Sequence, residues 1–517
     1  MLGEQDREQL SWALVGPLRQ HIPDDHLLVR IDAVLDLSWL RGEVEHLYSE
    51  DQGRPSIAPE SALRLMLAGA LLGIVHDRAL MRAAQDSLSI RWFAGYDLKD
   101  PLPDHSSLTR IRQRWGEELF HRVLTRTIEQ CIAAGLVGGS TVHVDSTLMR
   151  ANASLSSFLR EHVEAVVSTN AEGKVPPEPP GPESSGDGSQ NIGGVESARS
   201  DVSSASEDER QGVEPTKRVS RTDPDAQLTR KKKGAACAPA YKVHCVADDE
   251  QGVVVDVRVT RAEVADGHAL IPQLDAVSAR TGTPVRTAIA DGGYGHAQNY
   301  AELEARGCLA LIPSQGPSRH RGGMPAFRFK HDAHHDVVRC PRGAKLTRCR
   351  EHDGGVTYKA RVSDCSRCSL RARCVPPKSK ARSVLIIAGH SALVRARRAQ
   401  WRGEVRGTLL YGRRFFLAEG IFAWAKREFG LGRAMRRGLG NVAMQAYLAF
   451  AALNLRKLGA HWAGVAQLRS ILGLLRRLVG RVWLDLGGLE RIHWIWSFPA
   501  AMAGQPLTAA PGTCPLA

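Results

Sequence analysis

Apolar side chains recur at helical spacing over 59–74, 76–88 and 106–132, and they predict an all-helical N-terminal domain spanning 1–138. Asp104-His105-Ser106-Ser107 supplies a helix start and leads into Leu108-Thr109-Arg110-Ile111-Arg112-Gln113-Arg114. On that helix Arg110 and Arg114 share a face, and Arg112 turns away. Past position 140 the period becomes two. Thr141-Val-His-Val-Asp145-Ser-Thr147 sets Val142 and Val144 on one face of a strand and His143 and Asp145 on the other. Two further alternating runs, 241–247 and 253–259, flank a Gly-containing turn and predict a β-hairpin. A helix over 268–280, a strand over 285–290, a helix over 296–306 and a strand over 308–312 follow. Strands that first meander and then alternate with helices predict an α/β fold, a mixed sheet with helices on its faces.

Composition divides the chain further. From 171 to 235 it is rich in Pro, Gly, Ser and acids and poor in large apolar residues, so a mobile insert is expected there within a first catalytic segment, 139–330. A Cys-rich module over 331–380, the remainder of the catalytic domain over 381–460 and a helical tail over 461–517 complete the division. Lys and Arg number 69 against 55 Asp and Glu, a formal charge of +14 that seeks phosphate or another anionic surface. Most of that excess lies late, since 401–500 holds 16 Lys and Arg against 5 Asp and Glu. The longest apolar runs, 66–75 and 443–455, fall short of the roughly 20 residues that span a bilayer. The acidic start, MLGEQDREQL, lacks the pattern of a secretory leader, so a cytoplasmic protein with reduced cysteines is expected.

Three acids stand out against this background. Asp145 lies at a strand, and Asp291 ends the apolar run 285–290 before Gly292-Gly293-Tyr294-Gly295, where glycines leave room for a close approach. Ligands of α/β sheets collect beyond strand ends. Glu419 and Lys426 lie two turns apart on one face of a helix predicted over 416–429, with Tyr411 just before it. Taken singly, each acid has a plainer role: a turn cap for Asp145, the first residue of a Gly-rich turn for Asp291, an ion-paired surface residue for Glu419. Three separated carboxylates also suit a pair of Mg²⁺ or Mn²⁺ ions, one to deprotonate an attacking water or 3′-hydroxyl and one to stabilise the leaving 3′-oxygen. No protein nucleophile is then needed, in keeping with the lack of a P-loop or a Ser-His-Asp signature in context.

At these residues a family resemblance emerges. Asp145 in VHVDSTLMRANAS, Asp291 in AIADGGYG and Glu419 in the pattern Tyr411 to Glu419-x6-Lys426 resemble the DDE motif of bacterial insertion-sequence transposases. The stretch 53–114, SRTDPDA at 220–226, YKVH at 241–244, RRGLGNV at 436–442 and Asn454-Leu455 also resemble one group of these enzymes. The resemblance implies an RNase H-like catalytic domain behind a helical N-terminal domain, with Asp145, Asp291 and Glu419 holding Mg²⁺ or Mn²⁺. It implies double-stranded DNA partners, terminal inverted repeats and target, and a homo-oligomer on DNA. Tyr411, Arg414 and Lys426 would position the strand, while Arg110, Arg112, Arg114, Arg436 and Arg437 would grip the duplex. A nuclease of the same fold, or a DNA-binding derivative without catalysis, are the alternatives.

One position departs from that pattern. The family helix carries Arg four residues before the Glu, but here Phe415 fills the slot and Arg414 stands one earlier, about 100° away round an α-helix. Either the copy is weakened or inactive, or Arg414 serves because the chain is not yet helical there. Separately, Cys340, Cys365, Cys368 and Cys374 follow C-x24-C-x2-C-x5-C, a spacing that suits structural Zn²⁺, with unliganded thiols as the alternative.

Overall fold

The computed structural model describes residues 16–49, 56–159, 219–230, 234, 236–315, 324–352, 354–377 and 379–485. The N-terminal region is helical: α1 (Pro59–Leu71), α2 (Asp77–Asp86), α3 (Leu88–Ala94) and α4 (His105–Ala133) follow, among the described residues, two shorter α-helices and two 3₁₀ turns. Pro59 opens α1 at a position where its missing N–H costs nothing, and Asp104 caps α4 by accepting from Ser106 N at 2.8 Å. The predicted helix over 106–132 is in fact two, broken at Gly116, whose φ of 72° lies outside helical geometry and is open to glycine.

The central sheet holds β1 (Thr141–Arg150), β2 (Gln227–Thr229), β3 (Ala238–Asp248), β4 (Val254–Arg261), β5 (Thr287–Ala290) and β6 (Leu309–Leu311). Its order is β2-β3-β1-β5-β6, with β4 taking the rest of the outer edge of β3. β1 runs antiparallel to β3 and parallel to β5, and β5 runs parallel to β6. Helices α5 (Gly267–Thr281) and α6 (Ala297–Ala305) connect the parallel part. This mixed sheet behind a helical N-terminal region agrees with the RNase H-like expectation.

One hydrophobic core extends from Leu28 to Leu458 and is shared by the N-terminal helices and the sheet. A second sheet of five antiparallel strands, β7 (Lys330–Asp332), β8 (Val337–Arg339), β9 (Lys345–His352), β10 (Gly355–Ala360) and β11 (Ser383–Ile386), keeps its own small core around Phe329, Leu346 and Tyr358. Then come α7 (His390–Trp401), α8 (Leu409–Arg414), a π-helical turn (Phe415–Gly420), α9 (Ile421–Glu428) and the long α10 (Leu439–Asp485).

The expected insert needs correction at its end. Residues 219–230 are folded: Val219–Ser220 pairs with Phe158–Leu159, and β2 pairs with β3. Asp223 is fully buried, accepting from Tyr241 Oη at 2.5 Å and Gly438 N at 3.1 Å, and Asp225 accepts from Leu439 N, so SRTDPDA caps the start of α10. The stretch 171–218 lies outside the described residues. The chain packs as two units, Met1–Ala460 and His461–Ala517, the second described only as the continuation of α10 to Asp485. Among the described residues no helix is long and apolar enough to cross a membrane.

Candidate active site

Parallel pairing of Val144 with Ala290 puts Asp145 and Asp291 side by side, each one residue beyond a registered pair on adjacent strands. Asp145 is 8% exposed. It accepts from Ser146 N at 2.9 Å through Oδ1 and from Arg414 at 3.0 Å through Oδ2. Burial pushes its carboxyl up to about 6, and the neighbouring charge of Asp291 adds to the rise, against Arg414 and the Ser146 N–H. Asp291 Oδ1 caps the short turn after β5 by accepting from Gly293 N at 2.8 Å. Any Cβ on Gly293 would sit 2.9 Å from that oxygen and 3.1 Å from Asp266 Oδ2, which is why the turn needs glycine there.

The third acid reaches the pair through a helical irregularity. Glu419 lies in the π-helical turn and accepts from Arg414 at 2.7 Å. Arg414 thereby donates to Asp145 and Glu419 at once, and burial, which would lower its pKa, is outweighed by Asp145, Asp291, Tyr411 and Glu419. A π turn bonds i to i+5, so residues five apart stack as residues four apart do in an α-helix. Phe415 is the extra residue and is 64% exposed. The backbone is thus helical at Arg414, and the π turn, rather than a missing helix, returns this side chain to the face of Glu419.

Alternate residues of β1 meet this helix in sequence. His143 Nε2 and Arg413 Nη1 both bond Asp249, at 2.8 and 2.6 Å. Asp145 meets Arg414. Thr147 Oγ1 accepts from Lys426, which also donates to Leu148 O at 3.1 Å. Tyr411 is half-buried beside them. Burial raises its pKa first, Arg414 opposes, and Asp291 and Glu419 add to the rise.

The expected DNA-contacting arginines separate. Arg110 and Arg114 are exposed, and Arg114 lies 4.6 Å from the centre of the Tyr48 ring. Arg112 is buried in a two-pronged pair with Asp77 at 2.7 and 2.9 Å, because its turn of α4 faces α2, so it is no surface for a duplex. Arg436 joins the same carboxylate at 2.5 Å, whereas Arg437 is exposed and donates to Asn152 O. Sequence reasoning missed Asp249 and Asp266. Asp266 accepts from Ser146 Oγ at 2.7 Å and pairs with Lys242 of the YKVH stretch, a partnership between segments that no local pattern announces.

Cys365 and Cys374 are buried in the core of the second sheet, with Cys340 packed against it. Burial raises the Cys374 thiol, and Cys365, Cys340 and Cys368 lie near enough to raise it further. Among the described residues no three His, Cys, Asp or Glu side chains are drawn together as a ready metal shell. At the carboxylates a cation is already present, the guanidinium of Arg414. Asp145 and Glu419 share that cation and Asp291 lies within reach of its charge, and carboxylate oxygens of this kind are the donors that hard divalent ions take.

Comparison with known families gives three matches. Residues 16–114 match a family described as Transposase domain (DUF772), and residues 215–382 and 339–459 each match a Transposase DDE domain. Asp291 and Glu419 fall inside these spans, and Asp145 falls between them. No curated protein gives a significant match to the chain.

Proposed function

The chain belongs to the DDE transposases of insertion sequences, enzymes of DNA phosphoryl transfer, and on that footing we propose that it binds the inverted ends of its own element, cuts there and joins the freed 3′-hydroxyl to target DNA. The observation that carries the reading is Arg414 bridging Asp145 and Glu419 beside Asp291. Asp145, Asp291 and Glu419 would hold Mg²⁺ or Mn²⁺, which when bound activates a water or 3′-hydroxyl and neutralises the leaving oxygen. Arg414 then turns from the carboxylates to the scissile phosphate, where its planar fork fits two phosphate oxygens. Tyr411 lies within electrostatic reach of Asp291 and Glu419 and orients the strand. Lys426 acts through β1, holding Thr147 two residues from Asp145. Arg110, Arg114 and Arg437 grip the duplex, and a homo-oligomer brings the two ends together. Cys340, Cys365, Cys368 and Cys374 lie near one another in the second sheet without forming a closed shell, so a structural Zn²⁺ there would have to draw them together, and a metal assay of the purified protein decides it.

Incubating the protein with supercoiled DNA bearing the flanking ends, and with unrelated DNA, tests the reading. Cleavage at the ends with strand transfer is expected, lost in Asp145→Asn, Asp291→Asn and Glu419→Gln while end binding persists. Equal cleavage of unrelated DNA would make the protein a nuclease, and binding without cleavage in either Mg²⁺ or Mn²⁺ would make it a regulator.

A further inference from the structure

A concave surface lies outside the carboxylate site. It is a groove of about 620 Å³ between α7 and the segment 327–331 that opens the second sheet. Its walls carry Arg328, Lys330, Arg395, Arg397 and Arg398 and no carboxylate. Arg395 is neutralised from outside the groove by Glu304, whereas Arg328, Lys330 and Arg398 have no acidic partner among the described residues. Aromatic surface alternates with this charge: Trp401 is 68% exposed and meets Phe327 edge-on at 5.5 Å, and Arg397 stacks over Phe327 at 5.2 Å. At the floor His390 is 6% exposed, and its Nε2 has no hydrogen-bond partner.

Position ties the groove to the acids. The chain leaving β6 passes Pro313, whose carbonyl oxygen lies within 3.4 Å of where a Cβ on Gly292 would stand, next to Asp291. The next two residues bond α7: Ser314 N and Oγ donate to Gln400 Oε1, and Gln315 O accepts from Arg397. Residues 313–315 therefore have the Asp291 turn on one side and the wall of the groove on the other. Cationic side chains interleaved with exposed rings bind single-stranded nucleic acid without regard to sequence, because every base has a face that stacks and every nucleotide has a phosphate. A regular duplex keeps its bases stacked internally and leaves Trp401 unused.

We infer that this groove holds an unpaired DNA strand next to the carboxylate centre, with phosphates on Arg328, Lys330 and Arg398 and a base on Trp401. The inference deepens the transposase reading and rests on it. The test is fluorescence anisotropy of the full-length chain with 5′-fluorescein-labelled dT12, in buffer without divalent ions, beside a duplex of equal length. Trp401→Ala is expected to weaken dT12 binding by about tenfold and to leave the duplex unchanged. Lys330→Gln and Arg398→Gln are each expected to reduce the magnitude of the slope of log affinity on log salt by about 0.7. Trp401 is largely exposed, so its removal leaves the fold intact. Wild-type affinity for dT12 in Trp401→Ala, or an equal loss on the duplex, overturns the groove. Cleavage that survives Asp145→Asn overturns the transposase reading instead, whatever dT12 does.

Discussion

Arg414 and Glu419 are five residues apart, yet their side chains are joined at 2.7 Å on one face of a helix. In a continuous α-helix that separation would point them about 140° apart. The π turn over Phe415–Gly420 accommodates one residue more than an α turn and leaves the flanking turns in register, so Arg414 meets the face of Glu419 although Phe415 stands four residues before it. Deleting Phe415 is therefore expected to convert the turn to α geometry, keep Arg414 opposite Glu419 and retain strand cleavage within about threefold. Inserting an alanine after Phe415, or making Arg414→Ala, is expected to cost at least about a hundredfold in cleavage rate, the scale of losing one preorganised charge contact. Single-turnover cleavage assays decide it; a dead deletion variant would show that Phe415 has a role of its own.

Period and strand-end chemistry made much of this legible. Alternation in TVHVDST placed His143 with Asp145, and both do face the motif helix. The Gly-rich turn marked Asp291, and Gly293 is indeed hemmed in by two carboxylates. What could not be read were relationships decided by tertiary packing or by helix type. The π turn has no signature in hydrophobic spacing, so the apparent misplacement of Arg414 looked like a defect. The partners of Arg112 and the folded end of the insert depend on contacts tens to hundreds of residues away, as with Asp223 and Gly438.

Arg110 and Arg112 are two positions apart and should behave oppositely. Asp77 is fully engaged by Arg112 and Arg436 in a buried cluster. Arg112→Met removes one partner there and is expected to destabilise by about 3 kcal/mol while leaving the salt dependence of duplex binding unchanged. Arg110→Gln is expected to leave the thermal midpoint within about a degree and to reduce the magnitude of the log–log salt slope by about one. Thermal unfolding and binding at three salt concentrations separate the two. A reduced slope in Arg112→Met would return that residue to the DNA surface.

Asn454 closes the outer part of the sheet from α10. It is fully buried, its Oδ1 accepts from Val254 N at 2.9 Å, and its Nδ2 donates to Val254 O at 2.8 Å, so one side chain imitates a neighbouring strand. Asn454→Leu strands a buried N–H and a buried C=O, each at about 1–3 kcal/mol. A loss of roughly 2–5 kcal/mol in denaturant unfolding is expected, with Asn454→Asp also destabilising because a carboxylate cannot donate to Val254 O. A variant as stable as wild type would mean that water reaches this edge.

His244 should set part of the acid limit of stability. It is buried on β3, opposite Ser146 on β1 and Arg258 on β4, with Nε2 3.0 Å from Thr260 Oγ1 and with Asp266 and Lys242 nearby. Burial depresses its pKa to about 4 from 6.5, against the pull of Asp266. The folded state thus keeps His244 neutral where the unfolded chain already takes a proton. Its contribution is complete above pH 6.5 and is lost as pH falls toward 4, up to about 3 kcal/mol for that difference in pKa. His244→Gln keeps a donor for Thr260 without the titration, so the variant should lose less stability than wild type between pH 7 and 4.5. Asp145, whose carboxyl is raised, changes in the opposite sense but equally in both proteins, so it cancels in the comparison. Urea unfolding at half-unit steps measures the gap; parallel curves for the two proteins would mean that His244 takes up its proton in the folded state at an ordinary pH.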